Sequence, residues 1–165
     1  MRVRSMTAVT LPQAKALVNS IFPHQGPVER LFFWAWSRRD RPVVKVLLAV
    51  VGVKDLGDFW VALDDDDRVA GTVGLYRNRK DAHEALWLSW FCVSPEHRGT
   101  GLGGRLLDLA IERARASGAR YLRLYTGDDP IMAKAQHVYE SRGLRIYKTL
   151  NLFRVRVIYR QLDLF

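Results

Sequence analysis

The stretch from Val93 to Leu107, VSPEHRGTGLGGRLL, constrains the fold of this chain more than any other. It joins a compact apolar run, EALWLSWFCV, to a segment in which Leu102, Leu106, Leu109, Ala110 and Ala114 recur on one helical face before Gly118. Strand, glycine-rich turn and helix therefore follow one another without a spacer. Glycines at such a turn let backbone N–H groups approach an anion, and the start of the helix adds its dipole, so the segment predicts a site for a phosphate-bearing ligand.

Gly99, Gly101 and Gly104 formally spell G-x-G-x-x-G, the dinucleotide fingerprint, and Asp128 or Asp129 could serve as the acid that reading requires. Its context is wrong. Hairpin material precedes the loop, and only about sixty residues follow it, too few for a doubly wound half and a substrate domain. No Gly-Lys-Ser/Thr follows the loop, which removes the P-loop reading.

The remaining elements come from periodicity. RVRSMTAV reads as a first strand, and Thr10 lies three residues before Gln13, a capping-box spacing, ahead of Ala14, Leu17, Val18 and Ile21. VERLFFWAW reads as a second helix from Val28. Residues 42–57 are ambiguous: VVKVLLAVVGV is β-branched, yet Pro42 and Gly52 sit where a helix would begin and stop, and we lean to helix. DFWVAL and RVAGTVGLY form a hairpin around Asp64 to Asp67, four carboxylates better explained by a solvated turn than by a cation site. ARYLRLYT is a strand, Asp129 and Pro130 open a helix running through Tyr139 to Arg142, and LRIYK with FRVRVIYR closes the chain as a hairpin. The order β-α-α-β-β-β-α-β-α-β-β predicts a single α/β (α+β) domain over residues 1–165, with a mixed, mostly antiparallel sheet of about seven strands flanked by helices.

With 165 residues, 48% hydrophobic and 26% charged, the chain can bury a core without staples. The lone Cys92 excludes an internal disulfide, and the four histidines are scattered with no metal-ligand spacing, so no metal is expected. The longest apolar run, Pro42 to Val53, is interrupted by Lys45 and far shorter than the roughly 20 residues of a membrane span. No secretion signal is evident at the N-terminus, and a cytoplasmic protein without a membrane partner is expected. The net charge of +9 favours a polyanionic partner, nucleic acid or a phosphate-rich cofactor among them, but no like-charge run resembles a nucleic-acid tail.

VSPEHRGTGLGGRLL resembles the acyl-CoA-binding signature R/Q-x-x-G-x-G/A of the GNAT superfamily of N-acetyltransferases, with Arg98, Gly101 and Gly103 in the defining places. AKAQHVYESRGL resembles the later helix of the same family, which carries alanine, Tyr-Glu and then Gly-Leu. The likeness runs from Phe59 to Tyr147. It implies the GNAT fold and transfer of an acetyl or short acyl group from acetyl-CoA to a primary amine, by direct attack in a ternary complex. By resemblance, Arg98, Gly99, Thr100, Gly101, Leu102 and Gly103 hold the pyrophosphate, and the backbone of Phe91, Cys92 and Val93 pairs with the pantetheine arm.

The resemblance also implies that Tyr139 is the general acid towards the departing thiolate. Two positions depart from the family pattern. Met132 stands where many relatives carry an asparagine, and the strand Trp87-Leu88-Ser89-Trp90 lacks the glutamate base, so the nearest acid, Glu84, is the candidate; a surface glutamate beside His83 is the competing reading. Cys92 has no evident base and reads as a small core residue. The acceptor, a small molecule or a peptide, would meet Phe32, Phe33, Trp34, Trp36, Tyr147, Phe153 and Tyr159, although aromatics at helical spacing also make core. A homodimer is compatible with the sequence. A catalytically weak acyl-CoA-binding regulatory module and an RNA-directed basic protein, the latter suggested by FRVRVIYR, are the alternatives.

Overall fold

The computed structural model describes the whole chain except residues 23–26 and 153–154, and gives backbone alone for 27–30, 131, 152 and 155. Seven strands form one sheet in the order β1-β2-β3-β4-β5-β7-β6. They are β1 (Arg2–Ser5), β2 (Val53–Leu63), β3 (Val69–Asn78), β4 (Ala85–Val93), β5 (Tyr121–Gly127), β6 (Arg145–Leu152) and β7 (Val155–Asp163). All neighbours are antiparallel except β4 and β5. Helices α1 (Leu11–Ile21), α2 (Pro27–Trp36) and α3 (Pro42–Val50) pack on one face, and α4 (Leu102–Ala116) and α5 (Ala133–Ser141) on the other.

The ambiguous segment is a helix followed by a strand. Pro42 occupies the first turn of α3, Val44 and Leu48 one turn apart enter the core, and Gly52 at φ +84° reverses the chain into β2. Its outer positions Val43, Val46 and Val50 are also apolar and exposed, which is why no amphipathic pattern marked this helix.

Three local expectations are corrected. The first strand stops at Ser5, because Met6 turns inward and donates its N–H to the Phe59 carbonyl. The capping box does not form: Thr10 bonds with Thr7, and the Gln13 side chain accepts the Val69 N–H of β3 at 3.0 Å. A tertiary donor replaced the local one. The helix expected from Asp129 begins instead as a 3₁₀ turn, Pro130–Met132, and becomes α-helical at Ala133.

Two cores result. Leu86, Leu88, Leu102, Leu106, Leu107, Leu122 and Tyr139 fill the α4/α5 side, while Phe32, Trp36, Val44, Phe59, Tyr76 and Trp87 fill the α1–α3 side.

Candidate active site

β4 carries the geometry. It pairs with β5 over only three residues, Ala85↔Tyr121, Leu86↔Leu122 and Trp87↔Arg123. Beyond Trp87 the two parallel strands separate, leaving the edge of β4 from Leu88 to Val93 without a β5 ladder. On its other edge, Thr72↔Cys92 is followed by Gly74↔Ser89, so three steps along β4 match two along β3. This is a β-bulge, and Trp90 there adopts φ +48°, an unusual conformation for so bulky a residue. The Thr72 hydroxyl donates to the Trp90 carbonyl at 2.5 Å, and the Trp90 ring stacks on Phe33 at 3.5 Å, holding the kink in place.

The bulge changes the phase of the strand. Before it, Leu86 and Leu88 face α4; after it, Phe91 and Val93 do, and Cys92 turns to Val18 and Phe33. Trp87 and Trp90 both belong to the α1–α3 side.

The segment after β4 builds the opposite wall. A 3₁₀ turn, Pro95–His97, is fixed by Ser94 Oγ and His97 Nδ1 at 2.7 Å and by Thr100 Oγ1 donating to the His97 carbonyl at 2.8 Å. Arg98 is extended and its Nε donates to the Val93 carbonyl. Gly101, at φ +80° before the first turn of α4, requires glycine because L side chains avoid that region. The first intrahelical bond is Arg105 N–H to the Gly101 carbonyl, so the preceding N–H groups have no partner within the helix. Gly104 serves packing instead: a Cβ there would lie 2.4 Å from the Arg142 guanidinium, which pairs with Asp108.

Between these walls lies a cleft of about 300 Å³. Phe91, Cys92, Val93, Arg98, Gly99, Gly101, Leu102 and Gly103 all line it; Thr100 does not, and bonds within the loop. Met132, which has no side-chain amide to offer a ligand, lines it as well. Ile21, Phe22, His97 and Lys134 line it too, and sequence reasoning missed them because they come from segments with no motif of their own. Arg98 and Lys134 give the cleft a cationic rim suited to phosphates.

Tyr139 lies in the core beside this cleft, its ring 5.5 Å from that of Phe91 and only 6% exposed. Burial drives its phenol well above the ordinary tyrosine range, with Cys92 adding to the effect and Arg160 opposing it, so the ring stays protonated. The Cys92 thiol is likewise pushed up to about 11 by burial, against the hydrogen bond with Thr72 and the charge of Arg98. It is a buried thiol, not a thiolate nucleophile.

Glu84 stands elsewhere, just before β4 and seven residues from Phe91, roughly 23 Å along an extended strand. Its carboxylate pairs with Arg123 at 2.9 Å, and Arg123 also pairs with Asp81 at 2.6 Å. Asp81 in turn accepts the Trp87 indole N–H at 3.0 Å, and Arg123 Nε donates to Gln161. Burial opposes the Arg123 charge, but the hydrogen bonds to Asp81 and Glu84 outweigh it and its pKa is raised.

Of the aromatics considered for an acceptor, Phe32, Phe33 and Trp36 are buried core and Trp34 is exposed on the outside of α2. Tyr147 and Tyr159 lie 6.2 Å apart on the open side of the terminal hairpin, while Phe153 falls outside the described residues. Arg160 of the basic strand is 3% exposed and bound to Glu140, Gln136 and the Leu144 carbonyl, so it serves the fold and offers nothing to a polyanion. Among the described residues no group of three or more His, Cys, Asp or Glu could hold a metal ion, and no helix is long and apolar enough to cross a membrane.

No curated protein matches the sequence. Solved structures do match the fold. A protein described as a GNAT-family acetyltransferase from Desulfovibrio desulfuricans superposes with a TM-score of 0.72 at 22% identity, over 99% of this chain and 98% of its own. YncA of Salmonella typhimurium, solved with acetyl-CoA, gives 0.67 at 17% identity over 99% and 94%. An aminoglycoside 6'-N-acetyltransferase complexed with coenzyme A gives 0.72 at 15% identity over 100% and 98%. At these identities the likeness is one of fold. The sequence profile of the Acetyltransferase (GNAT) family matches residues 16–144, which contain the split strand pair, the glycine loop and Tyr139, and the chain belongs to that family.

Proposed function

We propose that the protein is an N-acyltransferase that moves an acetyl group from acetyl-CoA to a primary amine. The observation that carries this reading is the cleft formed where β4 leaves β5, walled by the Arg98-to-Gly103 loop. Unpartnered N–H groups at the start of α4, with glycines beside them, suit the pyrophosphate. The free edge of β4 at Phe91 to Val93 suits the amide groups of pantetheine, which can add to it as a strand would.

In the reaction the amine nitrogen attacks the thioester carbonyl, the C–S bond breaks, and the sulfur takes a proton from the Tyr139 hydroxyl. Burial keeps the Tyr139 hydroxyl protonated but makes it a weaker acid, so the transfer is driven by the negative charge that develops on sulfur, and the phenolate regains its proton from solvent before the next turnover. The proton lost by the amine leaves to solvent or to Glu84 through water. Because Glu84 is held by Arg123, the base contribution is small, and an amine that sheds its proton on entering an apolar site needs little help.

The test is release of free coenzyme A thiol from acetyl-CoA with a panel of primary amines. Amine-dependent turnover that falls on Tyr139→Phe is expected. Tight acetyl-CoA binding without turnover would instead make the protein a binding module, the reading favoured by Met132 and by the absence of an acid within β4.

A further inference from the structure

Ser89 is the first residue past the last β4–β5 pair on the face that carries Trp87. Its partner on β3 is Gly74, and a Cβ on Gly74 would lie 1.9 Å from the Phe59 ring, so that ring takes the room a side chain would have had. Phe59 also packs 4.7 Å from Trp90. The Ser89 hydroxyl thus lies on the sheet face that carries these rings. It is buried and has no hydrogen-bond partner, one of two such side-chain atoms among the described residues.

A buried hydroxyl without a partner destabilises the fold, because water that solvated it in the unfolded chain is not replaced. The other orphan, the indole nitrogen of Trp36, lies in the α1–α3 core. Ser89 differs from it in place, since it lies just past the last β4–β5 pair, beside the bulge and two residues from Phe91, which lines the cleft. On the same face Trp87 lies 6.4 Å from Tyr125 and 6.3 Å from Tyr159, ring to ring, and Tyr125 and Tyr147 remain 49% and 45% exposed. A partly exposed group of aromatic rings therefore lies on the same face of the sheet as an unsatisfied hydroxyl two residues along β4 from Trp87.

We propose that Ser89 Oγ binds the nitrogen of the acceptor amine and that Trp87, Tyr125 and Tyr159 receive an aromatic body attached to it, making the acceptor an arylalkylamine. The inference rests on the acyl-transfer reading only for the fate of that nitrogen. Hydroxyl oxygen accepts one amine N–H and leaves the nitrogen lone pair free, and the aromatic group supplies apolar contact while favouring the neutral amine over ammonium through desolvation.

The experiment titrates 2-phenylethylamine into the coenzyme A-loaded protein, read by intrinsic tryptophan fluorescence, with butylamine as the control and with Ser89→Ala beside the wild type. Removing the orphan hydroxyl is expected to raise Tm by about 2–4 °C while weakening 2-phenylethylamine binding about tenfold. A merely structural serine would not move those two readouts in opposite senses. Unchanged amine affinity in Ser89→Ala, a lowered Tm, or no binding of 2-phenylethylamine to the wild type overturns the assignment. Equal affinity for butylamine overturns the aromatic class. Thiol release measured on the same samples separates the two readings: amine binding that depends on Ser89 without turnover sinks acyl transfer and leaves the amine site standing.

Discussion

The two ends of β4 do opposite things with the same strand. At its start, Ala85 to Trp87 pair with β5, Trp87 pairs with Tyr76 of β3 as well, and Asp81, Glu84, Arg123 and Gln161 tie β4, β5 and β7 together through charged hydrogen bonds. At its end, Leu88 to Val93 have lost β5, the backbone kinks at Trp90, a hydroxyl goes unpaired, and a cleft opens. The closed end satisfies its polar groups and should govern stability. The open end leaves groups unsatisfied and should govern ligand binding. Unpaired backbone is the condition for holding a ligand that adds to the sheet, and it can be tolerated only because the neighbouring pairs are fixed.

Substitutions at the two ends should therefore separate cleanly. The largest effect is expected for Asp81→Ala at the closed end, which leaves the buried Trp87 indole N–H without its acceptor and Arg123 with only Glu84 and Gln161, and should cost about 3 kcal/mol by urea denaturation. The extra thermal shift given by acetyl-CoA should survive in that variant; its loss would break the division. Next, Tyr139→Phe at the open end should lower kcat about a hundredfold in the thiol-release assay while leaving the denaturation midpoint within the error of the wild type. A smaller effect is expected for Gly101→Ala, which forces a side chain to φ +80° at about 1–2 kcal/mol, and should appear chiefly as weaker coenzyme A binding by calorimetry.

The smallest effect is a pH dependence. The Tyr139 and Cys92 pKa values are raised in the folded protein, Cys92 from 9.0 to about 11, so both groups support the fold fully below their unfolded values. That support is lost as pH rises through the folded values. Stability measured from pH 8 to 11 should fall from about pH 9 upward, and the slope should flatten in Tyr139→Phe and in Cys92→Ala. Over the same range kcat should show no decline from tyrosine ionisation below about pH 10, since the phenol remains protonated.

Much of the cleft was legible in local sequence because its requirements are local. A left-handed backbone at Gly101 demands glycine, α4 needs its stripe of Leu102, Leu106 and Ala110, and both lie within one segment with a recognisable spacing. Alternation could not reveal the bulge, because Leu88-Ser89-Trp90-Phe91 reads equally well in either phase until Thr72 and Phe33 select one. Gln13 suited a helix cap by spacing but was claimed by Val69, fifty-six residues away. Glu84 looked free beside His83 until β5 brought Arg123 to it.

By itself the sequence determined the element order, the mixed sheet, the glycine loop at the head of a helix, and the family those residues signal, because each depends on periodicity or backbone conformation within a short span. Tertiary structure alone decided where β4 leaves β5, which arginines are structural, and that Ser89 is left buried without a partner. Those outcomes depend on which strands and side chains arrive from distant parts of the chain, and no local pattern encodes the distance between groups that meet only when the sheet closes.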